Sequence, residues 1–330
     1  MDTQRESTVS APDESSAKAY ALSMETRLRR PRLLEGIDLQ HGLGLEIGPL
    51  YAPLVSKDES AVYYVDHLDT EGLLAKYDSD PNVDTSLIVP VDFVSSGDLR
   101  ECIPPNTSFN YVVASHVIEH VPDLIGWLDQ VESILANDGS LCLVIPDRRF
   151  TFDYMRRETE LFQVVASYGA RATRPTGPAL ADYVLNCAPV DAASAWQSGV
   201  VPANLERTHS VDQAISIVND AEVNGNYHDV HVWVFTPKSF AALMAELVGC
   251  GLARYRCDHF VDTAENEIEF YVRLVPCNDA ELAVKSWKAM AASTHDGRLS
   301  STTTLRRKLR PYKQRAVKRV RRAKKRLRSS

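Results

Sequence analysis

The stretch from His41 to Pro53 constrains this chain more than any other. Leu43, Leu45 and Ile47 form an apolar run that carries Glu46 and breaks at Gly48. The run has the length and character of a buried strand. A glycine at its end lets the backbone bend and approach a ligand closely, because no Cβ intervenes. In open α/β sheets, ligands bind at such carboxyl ends of strands. A lone glycine after an apolar run is also simply a tight turn, so the order of elements beyond it decides the reading.

Beyond Gly48 the chain alternates between strand and helix patterns. Ala61–Asp66 reads as a second strand ending on an acid, with a short helical crossover expected at 50–59. Glu71–Tyr77 suits a short helix, and Ser86–Phe93 reads as a third strand. Asn110–Ser115 is a fourth strand. Leu124, Leu128, Val131 and Leu135 then recur at helical spacing. Asn137-Asp138-Gly139 is expected to cap that helix, and Ser140–Pro146 to form a fifth, central strand. Strands alternating with helices predict a parallel sheet. The rhythm breaks over 151–230, where short helices are expected at 153–168 and 207–222. It resumes at Thr236-Pro237, a cap and first residue of a helix that ends near Gly249 and Gly251. Ala253–Phe260 and Glu267–Val275 lie too close together for a helical crossover, so they predict an antiparallel hairpin.

In order along the chain stand Leu-Glu-Ile-Gly-Pro at 45–49, Tyr-Val-Asp-His at 64–67, Val-Asp-Phe at 91–93, Val-Ala-Ser-His-Val-Ile-Glu-His at 113–120 and Val-Ile-Pro-Asp at 144–147. With the closing helix and hairpin, residues 42–275 resemble the class I S-adenosylmethionine-dependent methyltransferases. The resemblance implies a Rossmann-like, seven-stranded, mostly parallel sheet with an antiparallel last strand. It also implies S-adenosylmethionine as cofactor. The first motif departs from the family's three alternating glycines: only Gly48 stands, with Leu50 and Ala52 at the later positions.

On this resemblance Asp66 is expected to accept from the ribose hydroxyls, with His67 beside the ribose or adenine. A turn-forming Asp66 is the plainer reading, and Asp69 competes if the strand ends later. Asp92 and Phe93 are expected at the adenine, although Phe93 also suits plain core packing. Gly48 and Pro49 form the turn under the cofactor. Ser115 and His116 should lie near the methionine tail. Glu46 should orient loop amides or reach the amino group through water.

A hydroxyl acceptor needs a base, and histidine suits neutral pH. His116, His120, His228 and His231 are the candidates, although His120 reads better as a packed or capping residue. His228 and His231 with Asp147 or Asp229 also have a weak metal-ligand pattern, and no metal is assigned from it. Arg148, Arg149, Arg156 and Arg157 suit either an anionic acceptor or a solvated helix face.

Charge divides the chain. Residues 305–330 carry fourteen Lys or Arg and no acid, leaving 23 basic against 44 acidic residues before them. Apolar residues recur every three or four positions in this tail, so a basic amphipathic helix is expected, able to lie on an anionic membrane. An acidic body argues against a large nucleic-acid footprint. The expected organisation is a disordered 1–16, a methyltransferase domain at 17–277 whose 151–230 insertion is a substrate lid, a linker at 278–304 and the tail. A helix interrupted at Pro31 is expected within 17–36.

Six scattered cysteines without a Cys-x-x-Cys pair fit a reducing cytoplasm. The expected activity is methyl transfer to a small molecule or glycan hydroxyl, as in polysaccharide or glycolipid assembly, in the cytoplasm and peripherally at the inner membrane face. RNA methylation using the tail, and a non-catalytic scaffold tethered to a membrane, are the alternatives.

Overall fold

The computed structural model describes residues 28–81 and 83–295. The expected disordered N-terminus and basic tail lie outside the described residues. Of the helix expected at 17–36, residues 28–36 are described; 28–33 run helically through Pro31, and 34–36 form a bend and turn.

Seven strands form one sheet: β1 (Leu43–Ile47), β2 (Ala61–Asp66), β3 (Phe93–Val94), β4 (Phe109–Ser115), β5 (Leu135–Pro146), β6 (Tyr255–Val261) and β7 (Glu269–Pro276). Their order is β3-β2-β1-β4-β5-β7-β6. Pairings among β1 to β5 are parallel, while β7 runs antiparallel to both β5 and β6. This is the expected Rossmann-like sheet with its reversed last strand. The chain leaves β1 toward β2 and β3 on one side and returns at β4 on the other. The switch point between β1 and β4 is therefore where a ligand crevice opens.

The helices are α1 (Thr70–Tyr77), α2 (Leu99–Cys102), α3 (Leu124–Ile134), α4 (Leu161–Gly169), α5 (Gly177–Asn186), α6 (Ala192–Ser198), α7 (Val211–Asn219), α8 (Pro237–Gly249) and α9 (Ala280–Ser293). One apolar layer joins α3, α8 and α9 to one face of the sheet through Val112, Leu143, Leu128, Phe240 and Trp287, all buried. A second layer, including Leu33, Val55, Tyr64, Tyr111 and Val144, covers the other face. The insertion has a small core of its own, Leu180, Ala221 and Val230.

Several local expectations are corrected. No helix crosses over at 50–59; that segment is turns and loop. The third strand shrinks to Phe93–Val94, because earlier amides go elsewhere. Val89 N–H donates to Leu50 O, Val91 N–H donates to Thr70 Oγ1, and Pro90 has no N–H.

Helix α3 stops at Ile134, and 135–139 is extended and continuous with β5. Gly139 is no cap: a Cβ there would stand 2.7 Å from Phe109 O, so it serves close strand approach. The expected linker at 278–304 contains α9, whose Trp287 is fully buried and donates Nε1–H to Tyr255 O at 2.8 Å. Between the two helices expected in the insertion, α5 and α6 also form, each opened by a side-chain cap from Thr176 or Asp191.

Candidate active site

Residue Gly48 turns the chain out of β1 with φ +64°, donating its N–H to Val65 O at 2.9 Å. A Cβ there would meet Val117 Cγ2 at 3.3 Å, so glycine is needed for both conformation and approach. Leu50 also has positive φ, +47°, at the position of the missing second glycine. The turn is held from behind by Glu46. Its carboxylate, 1% exposed, accepts from Leu54 N at 2.7 Å and Val55 N at 3.0 Å. Burial pushes the Glu46 carboxyl up to about 7, and the two amides pull it back only in part. Glu46 therefore orients loop amides, as one of its expected roles required, and lies outside the cavity.

The cavity is about 590 Å³ and opens at the carboxyl ends of β1, β2 and β4. Gly48, Asp66, His67 and His116 line it together, joined by Ser95, Ser96 and Gly97 after β3. Asp66 accepts from His67 N–H at 2.7 Å and pairs with His67 Nδ1 at 2.6 Å, both through Oδ1. His67 Nε2 stands 2.9 Å from Lys76 Nζ. Thr173, Tyr227 and Asp229 from the insertion complete the wall.

Besides Glu46, four expected cofactor residues lie outside this cavity. Asp92 is occupied by Lys57 at 2.7 Å and by the Tyr64 amide at 2.7 Å. Phe93 packs its ring on Tyr63, centroids 5.1 Å apart. Pro49 is buried behind the turn, and Ser115 pairs with Val144 at the end of β4. Nothing in the strand pattern distinguishes Asp92 from Ser95; β3 begins late, at Phe93, and the cavity wall falls three residues along.

The histidines sort by their partners. His116 has φ +54° and is clamped: Nε2 is 2.7 Å from Glu269 and Nδ1 is 3.5 Å from Glu119. Burial lowers its pKa, but the hydrogen bond to Glu269 and the nearby charges of Glu119 and Glu269 outweigh this and lift it to about 9. His116 is thus a fixed cation at neutral pH, which corrects its expected role as base. Glu269 is gripped by Arg29 as well, at 2.7 and 2.8 Å, and by the Tyr271 hydroxyl at 2.7 Å. Burial opposes its ionisation, yet His116 and Arg29 hold it down to about 2.

His228 pairs with Asp220 at 2.8 Å, outside the cavity, and is removed from the acceptor side. His231 is 8% exposed and lies behind the wall, its Nδ1 2.6 Å from Asp153. His120, read from sequence as better suited to packing or capping, lines the cavity together with His67 and His116, with Nδ1 2.8 Å from Asp229. Its ring meets His231 edge-on at 4.8 Å. Asp147, a suggested metal partner, is instead committed to Arg149 at 2.6 Å and Thr263 at 2.8 Å.

The expected anion-binding arginines are also largely engaged. Arg156, 1% exposed, pairs with Asp153 and Asp182, both at 2.8 Å, and Arg148 donates to Tyr154 O at 2.5 Å.

The backbone explains why residues 230–235 reach this place. Val232 and Trp233 both donate N–H to Glu119 O, at 2.7 and 3.1 Å. Thr159 N–H donates to Val234 O at 2.9 Å. The end of the insertion is thereby fastened to the loop after β4.

A family model described as a methyltransferase domain matches residues 70–247. The match covers more than half of the chain, which belongs to this family, the class I S-adenosylmethionine-dependent methyltransferases whose motifs it carries. No curated protein matches the chain. Among solved structures it is similar to the CcbJ methyltransferase from Streptomyces caelestis, with 15% identity and a TM-score of 0.25. That likeness covers 42% of this chain and 52% of the other, so the chain spans about half of CcbJ. It is similar to magnesium protoporphyrin IX methyltransferase (ChlM) from Synechocystis PCC 6803 with bound SAH, at 9% identity and a TM-score of 0.35, covering 81% and 89%. A DhpI–SAH complex is similar at 14% identity and a TM-score of 0.37, covering 80% and 87%.

Proposed function

We propose that this chain transfers a methyl group from S-adenosylmethionine to a hydroxyl of a small molecule or glycan. The carrying observation is the shared cavity: Gly48, Asp66 and His116 from three strand ends and Asp229 from the insertion face one space. Its volume, about 590 Å³, falls within the ordinary size range of ligand pockets. When bound, S-adenosylmethionine supplies a methyl carbon on a sulfonium, whose carbon–sulfur bond breaks as the acceptor oxygen bonds to that carbon.

The chain's own residues position the two partners. Asp66 has its Oδ1 bound to His67 and offers Oδ2 to the ribose hydroxyls. Ser95, Ser96 and Gly97 take the adenine place that Asp92 and Phe93 do not occupy. At the acceptor end His120, oriented by Asp229 and backed by Glu119 and His231, provides the means of activating a hydroxyl. The insertion acts as a lid that closes this end with Thr173 and Tyr227.

Calorimetry with S-adenosylhomocysteine tests the reading. A charge-assisted hydrogen bond contributes about 1.5–3 kcal/mol. Asp66→Ala should therefore weaken binding by about tenfold or more, whereas Asp92→Asn should leave it nearly unchanged. Equal affinity in wild type and Asp66→Ala defeats the assignment.

The tail's fourteen basic residues support a cytoplasmic protein held at an anionic membrane face, each contributing about 1 kcal/mol near such a surface. Deleting 305–330 should abolish co-sedimentation with phosphatidylserine vesicles. Loss of RNA binding instead, with a steep salt dependence, favours RNA methylation.

A further inference from the structure

Among the described residues, one buried charge at the acceptor end is left without a hydrogen bond. Glu119 is 0% exposed, and neither carboxylate oxygen has a hydrogen-bond partner. His116 Nδ1 approaches Oε1 at 3.5 Å, an ion-pair distance without hydrogen-bond geometry. A buried carboxylate with no hydrogen bond is costly unless something else satisfies it.

Its neighbours indicate what does. Glu119, His120 and His231 each bring one ligand atom within 4.8 Å of the others. Both imidazoles are held by carboxylates on their Nδ1 side, His120 by Asp229 at 2.8 Å and His231 by Asp153 at 2.6 Å. Each Nδ1–H then donates outward and leaves the Nε2 lone pair for a cation. Carboxylates orienting the far nitrogen of ligating histidines are the recurrent outer shell of metal sites. Asp153 is itself fixed by the buried Arg156 at 2.8 Å.

We propose that Glu119, His120 and His231 form a site for one divalent transition-metal ion at the acceptor end of the cavity. Two imidazoles and one carboxylate favour Zn²⁺, Mn²⁺ or Co²⁺ over Mg²⁺ and Ca²⁺, which prefer all-oxygen shells. Zn–N and Zn–O bonds of about 2.0–2.2 Å put tetrahedral ligand atoms about 3.4 Å apart, so the side chains must draw together by up to about 1 Å or slightly more to close on an ion. Three protein ligands leave coordination positions open, and His120 on the wall turns them toward the cavity. An acceptor hydroxyl bound there loses its proton to water at a lower pH than it does free.

The proposal rests on the same acceptor end as the methyl-transfer reading, but its test does not need methyl transfer. Untagged full-length protein, stripped with EDTA, is titrated with Co²⁺ alone and followed by its visible absorption and by equilibrium dialysis. One Co²⁺ per chain is expected. Asp153→Asn, which disturbs only the outer shell, should weaken binding by about 10–100-fold. Glu119→Gln and His231→Gln should weaken it further, and His228→Gln, outside the cluster, should not.

Wild-type protein that retains no Co²⁺ overturns the site, whether or not the variants fold. Binding that survives the Glu119→Gln/His231→Gln double variant also overturns it. S-adenosylhomocysteine binding is measured on the stripped protein, so failure of the cofactor reading shows separately from failure of the metal.

Discussion

His116 combines a left-handed backbone, φ +54°, with a side chain held between two buried carboxylates. Non-glycine residues are uncommon in that conformation and persist only where surroundings enforce it. Here the enforcement is Glu269 on one nitrogen and Val144 O on the backbone amide at 3.0 Å. Replacing His116 by Gln strands Glu119 and weakens the Glu269 cluster. A broken buried pair costs about 3–5 kcal/mol. With the His116 side chain 29% exposed, a loss of about 2–3 kcal/mol is expected in denaturant unfolding.

The pH dependence carries two signatures. His116 is raised to about 9 in the fold, so its stabilisation is complete below about 6.5 and is lost as pH rises to about 9. Glu46 is raised to about 7 from 4.5, so the folded state holds more protons across that window and stability falls as pH rises through it. A difference curve between wild type and Glu46→Gln should slope by about 3 kcal/mol between pH 4.5 and 7 and be level above. A flat curve in thermal unfolding removes the assignment.

Elements were legible where period and punctuation agreed. Helix α8 follows Thr236 and Pro237 as expected, and β4, β6 and β7 fall where their apolar runs lie. Elements were illegible where long-range partners decide. Residues 135–139 look like a helix end with a glycine stop, but pairing of Leu135 with Phe109 draws them into β5. Residues 86–92 look like a strand, but the amides of Leu87 and Ile88 turn back to Asp84 and Thr85, and those of Val89 and Val91 go to Leu50 and Thr70. The same failure explains the cavity wall: Gly48, Asp66 and His67 could be placed together from sequence because they stand at or directly after well-marked strand ends. Ser95, His120 and Asp229 could not, because only the packed insertion shows which side chains share a wall.

Gly44 in β1 gives an element-scale test. A Cβ there would stand 2.1 Å from the Tyr111 ring, whose hydroxyl pairs with Ser60 at 2.6 Å. Overpacking of this kind costs about 1–3 kcal/mol or more. Gly44→Ala should lower the melting temperature sharply, and Tyr111→Leu in the same chain should restore part of the loss.

Across the whole molecule, the insertion is joined to the sheet at places that matter for the cavity. Trp196 stacks on Phe150 with centroids 4.3 Å apart and donates to Glu267 O at 3.1 Å, next to the start of β7. Arg156 links Asp182 of α5 to Asp153 and so to His231. At the other end, the amides of Val232 and Trp233 rest on the Glu119 carbonyl. Ligand binding in the cavity should therefore slow amide exchange over residues 227–234 more than over α9, and unchanged exchange there after adding S-adenosylhomocysteine and metal counts against the coupling. Those two amides tie Glu119 and His231 to one another: any displacement of residues 230–235 from the loop after β4 shifts both side chains at once, so neither can be rearranged alone.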